Sequence, residues 1–599
     1  MIYHCEDHTC NYWDEGEKLP ERCPQCGRKL LRANEADMTG DDWTALGNTL
    51  WDAEASDKKR MVDCFRKAAY LGSAWGVCNL GICMEQGNGV EADPVQAFWL
   101  YQQAVEMGSL NAVCCLGVCY QYGIGTAPDA KQAAELYCKA AEYGSPRGQM
   151  LLARAFHDGI GVEADAAEAV YWVRAAAYQR YGEGMHRLGV CYEYGDGVEQ
   201  NWERAVHWFR EAAESGVGVA MTDLGCCYEK GYGVEQSWEQ AFSWYRRSAE
   251  CGNPVSMSNL GLCYQMGYGV EQNWQEAIKW YEQGAQCGDL QSMHNLACCY
   301  EGGEGVEQNE DRAFYWYRRS AEGGNGSAMC NLGRCYKRGY GVEQNWQEAV
   351  KWYEQGAQCG NLQSMHNLAC CYEHGEGVEQ NMTEAIRWYT AAAEGGNADD
   401  MYELGWQYDH GEGVEQDMKK AICWYERAAE QNHPAAMNSL GECYAMGRGV
   451  PRDLETAMEW YRRAAELGEA MADYNMGWHL EQAGKLSEAY THYRKAADGN
   501  DDSAWWALGR FYENGVVVAQ DGKEARRCYE TGEKLGSVKC KMRLARCKLL
   551  GIGGRRAKKA GLDLCRQALE LAKESSEKED YGYEAEMNLL RRTIAENES

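Results

Sequence analysis

Two close cysteine pairs open the chain: Cys5 with Cys10, then Cys23 with Cys26 in the segment PERCPQCG. Thiolates are soft ligands, and four of them from two such pairs can surround one tetrahedral ion. Gly27 follows the second pair and lets the backbone turn its N–H groups toward the sulfurs. A segment this short buries no core of its own, so the metal would supply its folding free energy. Zinc is expected ahead of iron, because no redox-partner motif follows. The first pair is spaced more widely than the second, so His4 or His8 competes with Cys5 or Cys10 for a place. A fragment of residues 1–40 that folds without bound metal would end this reading.

The other cysteines follow a different rule. Of 30 in the chain, ten stand two residues after a recurrent Gly or Ala: Cys83, Cys119, Cys191, Cys227, Cys263, Cys299, Cys335, Cys371, Cys443 and Cys547. One thiol per repeat puts neighbours on the order of 10 Å apart. That is too far for a disulfide or a shared metal, so these cysteines are expected in the core. No GxSxG, HExxH, phosphate loop or strand–GxGxxG–helix appears, and a non-catalytic protein is expected. The alternatives are a hydrolase-like enzyme with a pocket in the repeats, or electron transfer by an iron-loaded N-terminal segment.

The elements that carry these residues are repeats. Tyr268 to Asn309 recurs at Tyr340 to Asn381 with three changes, an offset of 72 residues, or two copies of a 36-residue unit. Such a period indicates stacked supersecondary units. A small anchor residue, Gly or Ala, marks each unit and steps by 36 from Gly81 to Gly477, then by 32 to Gly509 and by 36 to Ala545. Around Gly261, Met257, Leu260 and Tyr264 have helical spacing. The loop GYGVEQN has two glycines to break the helix and a Val to plug back into the hairpin. A second helix follows, with Ala277, Trp280 and Tyr281 on one stripe, and Trp-Tyr pairs recurring in register as packing.

The pattern SAMxxLGxxYxxGxGVxxDxxxAxxWYxxAAExG resembles the Sel-one-like repeat family, a branch of the tetratricopeptide-like helical solenoids. The resemblance covers roughly residues 41–555 and implies an all-α, right-handed superhelix of helix-turn-helix repeats. QAGKLSEA, at 482–489, lacks the GxGV loop and looks like an ordinary tetratricopeptide hairpin. Residues 1–32 resemble a zinc-ribbon or rubredoxin-like knuckle, 33–40 a linker, and 556–599 charged capping helices. Arg555, Arg556, Lys558 and Lys559 read as a solvated surface.

In tetratricopeptide-like folds the first helices line the concave face, which the resemblance carries onto two rows here. Two residues before the anchor come Asn79, Asn259, Asn295, Asn331, Asn367 and Asn475; four after it come Glu193, Glu229, Glu301, Glu373 and Asp409. Asn can hold a peptide backbone as both donor and acceptor, and carboxylates recruit Lys or Arg. The formal charge of −31, from 91 acidic and 60 basic residues, favours a basic protein or peptide partner. It disfavours general nucleic-acid binding and an anionic membrane surface. The unpaired cysteines and the absence of an apolar leader core after MIYHCEDHTC lead us to expect a cytoplasmic protein.

Overall fold

The computed structural model describes residues 2–5, 13–15, 30–32, 35, 38–51, 55–578 and 583–598. It divides into two compact units, Met1–Asn309 and Glu310–Ser599. Near the start, β1 (Ile2–Cys5), β2 (Trp13–Glu15) and β3 (Leu30–Arg32) form an antiparallel sheet in the order β2-β1-β3. Cys5 ends the central strand, whereas Cys10, Cys23 and Cys26 lie outside the described residues. Among the described residues, no three His, Cys, Asp or Glu side chains are placed to hold a metal ion.

From Gly40 onward each unit is a stack of helical hairpins. The hairpin Pro254–Met266 and Trp274–Gln286 shows how the sequence builds one. Asn253 caps the first helix, its side chain accepting from the Ser256 N–H. Met257, Leu260 and Cys263 are buried together with Ala277, Tyr281 and Ala285. A Cβ on the anchor Gly261 would meet the Tyr281 ring at 2.4 Å. The small anchor therefore makes room for a ring of the same hairpin.

The GYGVEQN loop is a joint rather than a simple break. Gly267 closes the first helix in the left-handed region, with its N–H on the Cys263 carbonyl. Gly269 is left-handed too, and it lies against the first turn of the second helix of the preceding hairpin. Gln272 donates back to the Gln265 carbonyl at 2.7 Å, filling an acceptor that a helix end leaves open. Asn273 then caps the second helix by accepting from the N–H groups of Gln275 and Glu276. The same Gln bond recurs from Gln236, Gln344 and Gln380. Val270 packs on the core around Tyr245 and Leu260, as the plug reading expected.

First helices of several successive hairpins touch one another. In the first unit Gly40–Thr49 touches Ala74–Gln86, and Pro254–Met266 touches Leu290–Gly302; in the second, Gly326–Arg338 touches Leu362–His374. Second helices of successive hairpins lack comparable contacts among the described residues. The 32-residue step is the hairpin Ala470–Gln482 and Leu486–Asp498, joined by a short turn. Glu584–Glu598 covers the last hairpin through Met587 and Leu590. Arg543 clasps Glu586 with bonds of 2.6 and 2.7 Å. Arg556, expected on a solvated cationic surface, instead donates to Asn597 at 2.8 Å and to the Leu549 carbonyl at 3.2 Å. No described helix is long and apolar enough to cross a membrane.

Candidate partner-binding rows

The acidic row is anchored from below. Tyr245, on the second helix of its hairpin, donates its hydroxyl to Glu229 at 2.7 Å, and Tyr389 donates to Glu373 at 2.6 Å. The same spacing joins Tyr101 to Glu85 at 2.6 Å and Tyr529 to Glu513 at 2.8 Å. These tyrosines are buried, so each hydroxyl needs an acceptor, and the carboxylate is that acceptor. Burial pushes the Tyr245 and Tyr389 phenols well up, which keeps them protonated donors. Where the acid is replaced, as at Gln121 and Gln265, the amide oxygen accepts from Tyr137 and Tyr281 at 2.7 Å. The constant separation of 16 residues between acceptor and tyrosine was in the sequence, but helical-face spacing alone does not reveal it.

Surroundings differ along the row. Glu193 has Phe209 in place of the tyrosine; burial, with the Asp223 charge nearby, pushes its carboxyl up. Asp223 in turn lies 2.7 Å from His186 Nε2. Glu301 sits near the end of the helix Leu290–Gly302, and its carbonyl accepts from Gln308. In the second unit several carboxylates are matched by arginines from the following hairpin. Asp409, 4% exposed, takes Arg448 at 2.9 Å, and Glu481 takes Arg510 at 2.9 Å.

The Asn row links neighbouring hairpins. Asn79 donates to Asn48 at 2.8 Å, Asn367 to the Cys330 sulfur at 3.4 Å, and Asn475 to Asn438 at 3.0 Å and Glu442 at 3.1 Å. Asn295 accepts from Gln291 at 2.8 Å and stands near the Tyr281 hydroxyl of the preceding hairpin. Asn259 and Asn331 are half-buried on their first helices. The ten repeat-locked cysteines are all buried, and burial pushes the Cys263 thiol up to about 12, as core packing requires.

One residue breaks the repeat in a way the sequence reading missed. Five residues before the anchor the chain has only Gly, Ala, Ser or Cys in the other hairpins from Gly76 to Cys540, yet it has Asp400 before Gly405. Asp400 is fully buried; Oδ1 lies 2.8 Å from His366 Nδ1, and Oδ2 is without a hydrogen-bond partner. The Cys370 sulfur lies 3.6 Å from His366 Nε2 and 3.4 Å from the Tyr389 hydroxyl. The Asp400 hydrogen bond, then that of Cys370, raises His366 to about 10. At neutral pH the ring is thus an imidazolium, a fixed positive charge rather than a proton acceptor. Burial pushes the Asp400 carboxyl up, and the His366 hydrogen bond opposes that. Glu403, near the same group, is also pushed up by burial. A histidine raised above its unfolded value of 6.5 contributes stability in full below that pH. The contribution is lost as pH rises through about 10. In Asp400→Ala, which restores the residue type of Ala328 one duplication earlier, His366 should titrate back toward 6.5 in an NMR pH series. An unchanged titration would show that Asp400 does not hold the proton.

Comparison with known proteins now bears on this geometry. The Sel1 repeat model matches residues 76–109, 112–145, 146–181, 182–217, 218–253, 254–289, 290–325, 326–361, 362–397, 398–433, 434–469, 470–501 and 504–537. No curated protein sequence matches the chain. Among solved structures, a protective antigen present in uropathogenic Escherichia coli strains, displaying an SLR fold, is 32% identical. That match covers 75% of this chain and 97% of the other, with a TM-score of 0.51. A Sel1 repeat protein from Oxalobacter formigenes is 31% identical over 41% of this chain and 96% of its own, with a TM-score of 0.37. With matches through most of its length and the hairpin geometry described above, the chain belongs to the Sel1 repeat family.

Proposed function

We propose that this protein is a non-catalytic scaffold that holds a basic protein or peptide segment along the inner face of its first helices. The observation that carries this is that carboxylates recur on the first helices and several are fixed there by buried tyrosine hydroxyls, as at Glu85, Glu229, Glu373 and Glu513. A carboxylate fixed by a tyrosine hydroxyl keeps further lone pairs for an incoming Lys or Arg and loses little rotamer entropy on binding; at Glu229 the exposed Lys230 of the same helix already takes one such place at 2.8 Å. The net charge of −31 adds long-range attraction for such a segment. Glu193 and Glu229 in the first unit and Glu373 in the second are the carboxylates we assign to the partner ahead of Asp409, which is only 4% exposed beneath Arg448, whereas the side chain of Glu229 remains 22% exposed beside Lys230.

The test must remove charge without freeing the tyrosines. Substitution by lysine would break the Tyr245 and Tyr389 bonds, whereas glutamine keeps the acceptor, as Gln121 and Gln265 already do. In Glu193→Gln/Glu229→Gln/Glu373→Gln, a basic partner captured by wild type should bind more weakly and with less dependence on salt. At roughly 0.3–1 kcal/mol per exposed pair, the loss over three pairs is about 5- to 150-fold in all. Unchanged capture with unchanged salt dependence would rule the acidic row out as the contact.

A further inference from the structure

In the hairpins anchored from Gly81 to Gly509, eleven of thirteen second helices place a Tyr at the position of Tyr245. The two exceptions are consecutive, Val173 and Phe209. At Val173 the structure has a cavity of about 400 Å3, between the first helices Pro146–Asp158 and Gly182–Tyr194 and above the second helix Ala166–Tyr178. Its walls are the positions that surround a tyrosine ring elsewhere. Ala153 is the anchor, Val173 stands where the ring begins, and Cys191 is the repeat-locked cysteine of the next hairpin. At the polar end, His157 takes the place of Glu229, and Arg187 takes the place of Asn295, which stands near the Tyr281 hydroxyl of the hairpin before its own.

We infer that this cavity receives a tyrosine side chain supplied by the bound partner, taking the place of the ring the hairpin lacks. The inference rests on the scaffold reading, which provides the partner. The floor of Ala153, Ala169, Val170 and Val173 is apolar and almost fully buried, which suits a ring. The mouth carries both signs of charge. His157 lies 2.7 Å from Asp158 through Nδ1 and 3.1 Å from Asp196 through Nε2, and Arg187 lies 4.0 Å from Asp196. Arg154 lies 3.4 Å from Asp158. Because carboxylates already face the Arg154 and Arg187 guanidinium groups, a dianionic phosphate would gain no net counter-charge. A neutral phenol hydroxyl can donate to Asp196 and accept from Arg187 in one place.

The experiment uses the full chain with p-cresol as the phenol probe and toluene as its hydroxyl-free counterpart. p-Cresol should shift the methyl signals of Met150, Val170 and Val173 in NMR, with an affinity of roughly millimolar order for so small a ligand. Toluene should bind about 3- to 10-fold more weakly, the effect of one missing hydrogen bond. Val173→Tyr should abolish the shifts and raise the melting temperature, since it supplies the ring in cis. If that variant fails to fold, Arg187→Ala should bring p-cresol down to the affinity of toluene. The inference is overturned if p-cresol moves none of these methyls, if toluene binds equally well, or if Val173→Tyr folds and still binds p-cresol. Failure here leaves the scaffold reading standing, whereas unchanged capture by the glutamine triple variant would sink that reading alone.

Discussion

Tyr245→Ala is expected to destabilise its hairpin by about 3–5 kcal/mol, the range for removing a buried aromatic ring. The ring is 1% exposed, fills the space over Gly225, and donates to Glu229 at 2.7 Å. A Cβ on Gly225 would stand 2.6 Å from that ring, so anchor and tyrosine are two halves of one contact. Tyr245→Phe keeps the ring but removes the buried hydroxyl that donates to Glu229, and should cost only about 0.5–1.5 kcal/mol. In a stack where each hairpin packs on its neighbours, the loss is local before it is global. Hydrogen exchange should therefore accelerate first in Gly218–Lys230, Trp238–Glu250 and the hairpins flanking them. Equal effects of Ala and Phe, or a loss of protection spread evenly over the chain, would show that the ring is not the keystone of its hairpin. The hairpin containing Val173 shows what the missing ring leaves behind: a cavity at the same place.

That comparison also shows what the sequence could and could not reveal. Helix pairs, their period and the burial of residues such as Met257, Leu260 and Cys263 follow from spacing, because period and packing in a repeat are set by neighbours close in sequence. Acidic and Asn residues could be placed on the first helices by the same means. Their commitments could not, because those depend on side chains reaching across helices. Glu229 is tied to Tyr245 on the second helix, and Asn475 to Asn438 on the preceding hairpin. Positions such as Glu229 thus serve fold and surface together, and only a tertiary hydrogen bond separates the two roles. Asp400 was legible in principle as the charged residue in a column of small ones, but only an inventory of every column would have exposed it. The metal reading depends on Cys10, Cys23 and Cys26, which lie outside the described residues. The loop shows the reverse: GYGVEQN reads as a turn, yet three of its residues prove to be a seat, a carbonyl partner and a cap.

The seat yields the second large effect. Gly269 has φ +68, and a Cβ there would stand 2.2 Å from the Trp238 carbonyl oxygen and 2.4 Å from its carbon. Gly252, at the end of the preceding second helix, has φ +87, and a Cβ there would meet nothing within 4 Å. Alanine at either site incurs the left-handed penalty of about 1–2 kcal/mol. Only at Gly269 must the backbone of two hairpins also separate, which adds about 1–3 kcal/mol, the usual cost of forcing atoms into a filled space. Gly269→Ala should therefore lower stability by about 2–5 kcal/mol and Gly252→Ala by about 1–2, a matched pair that isolates the clash from the strain. The two losses should also differ in kind. At Gly252 only the turn between two hairpins is strained, whereas at Gly269 the interface itself opens, and nearest-neighbour coupling is what lets a stack unfold as one. Urea unfolding followed by circular dichroism should show one transition for Gly252→Ala and a broadened or split one for Gly269→Ala. If the two variants unfold alike, the second loop glycine is there for backbone conformation alone, and the hairpins are held together elsewhere.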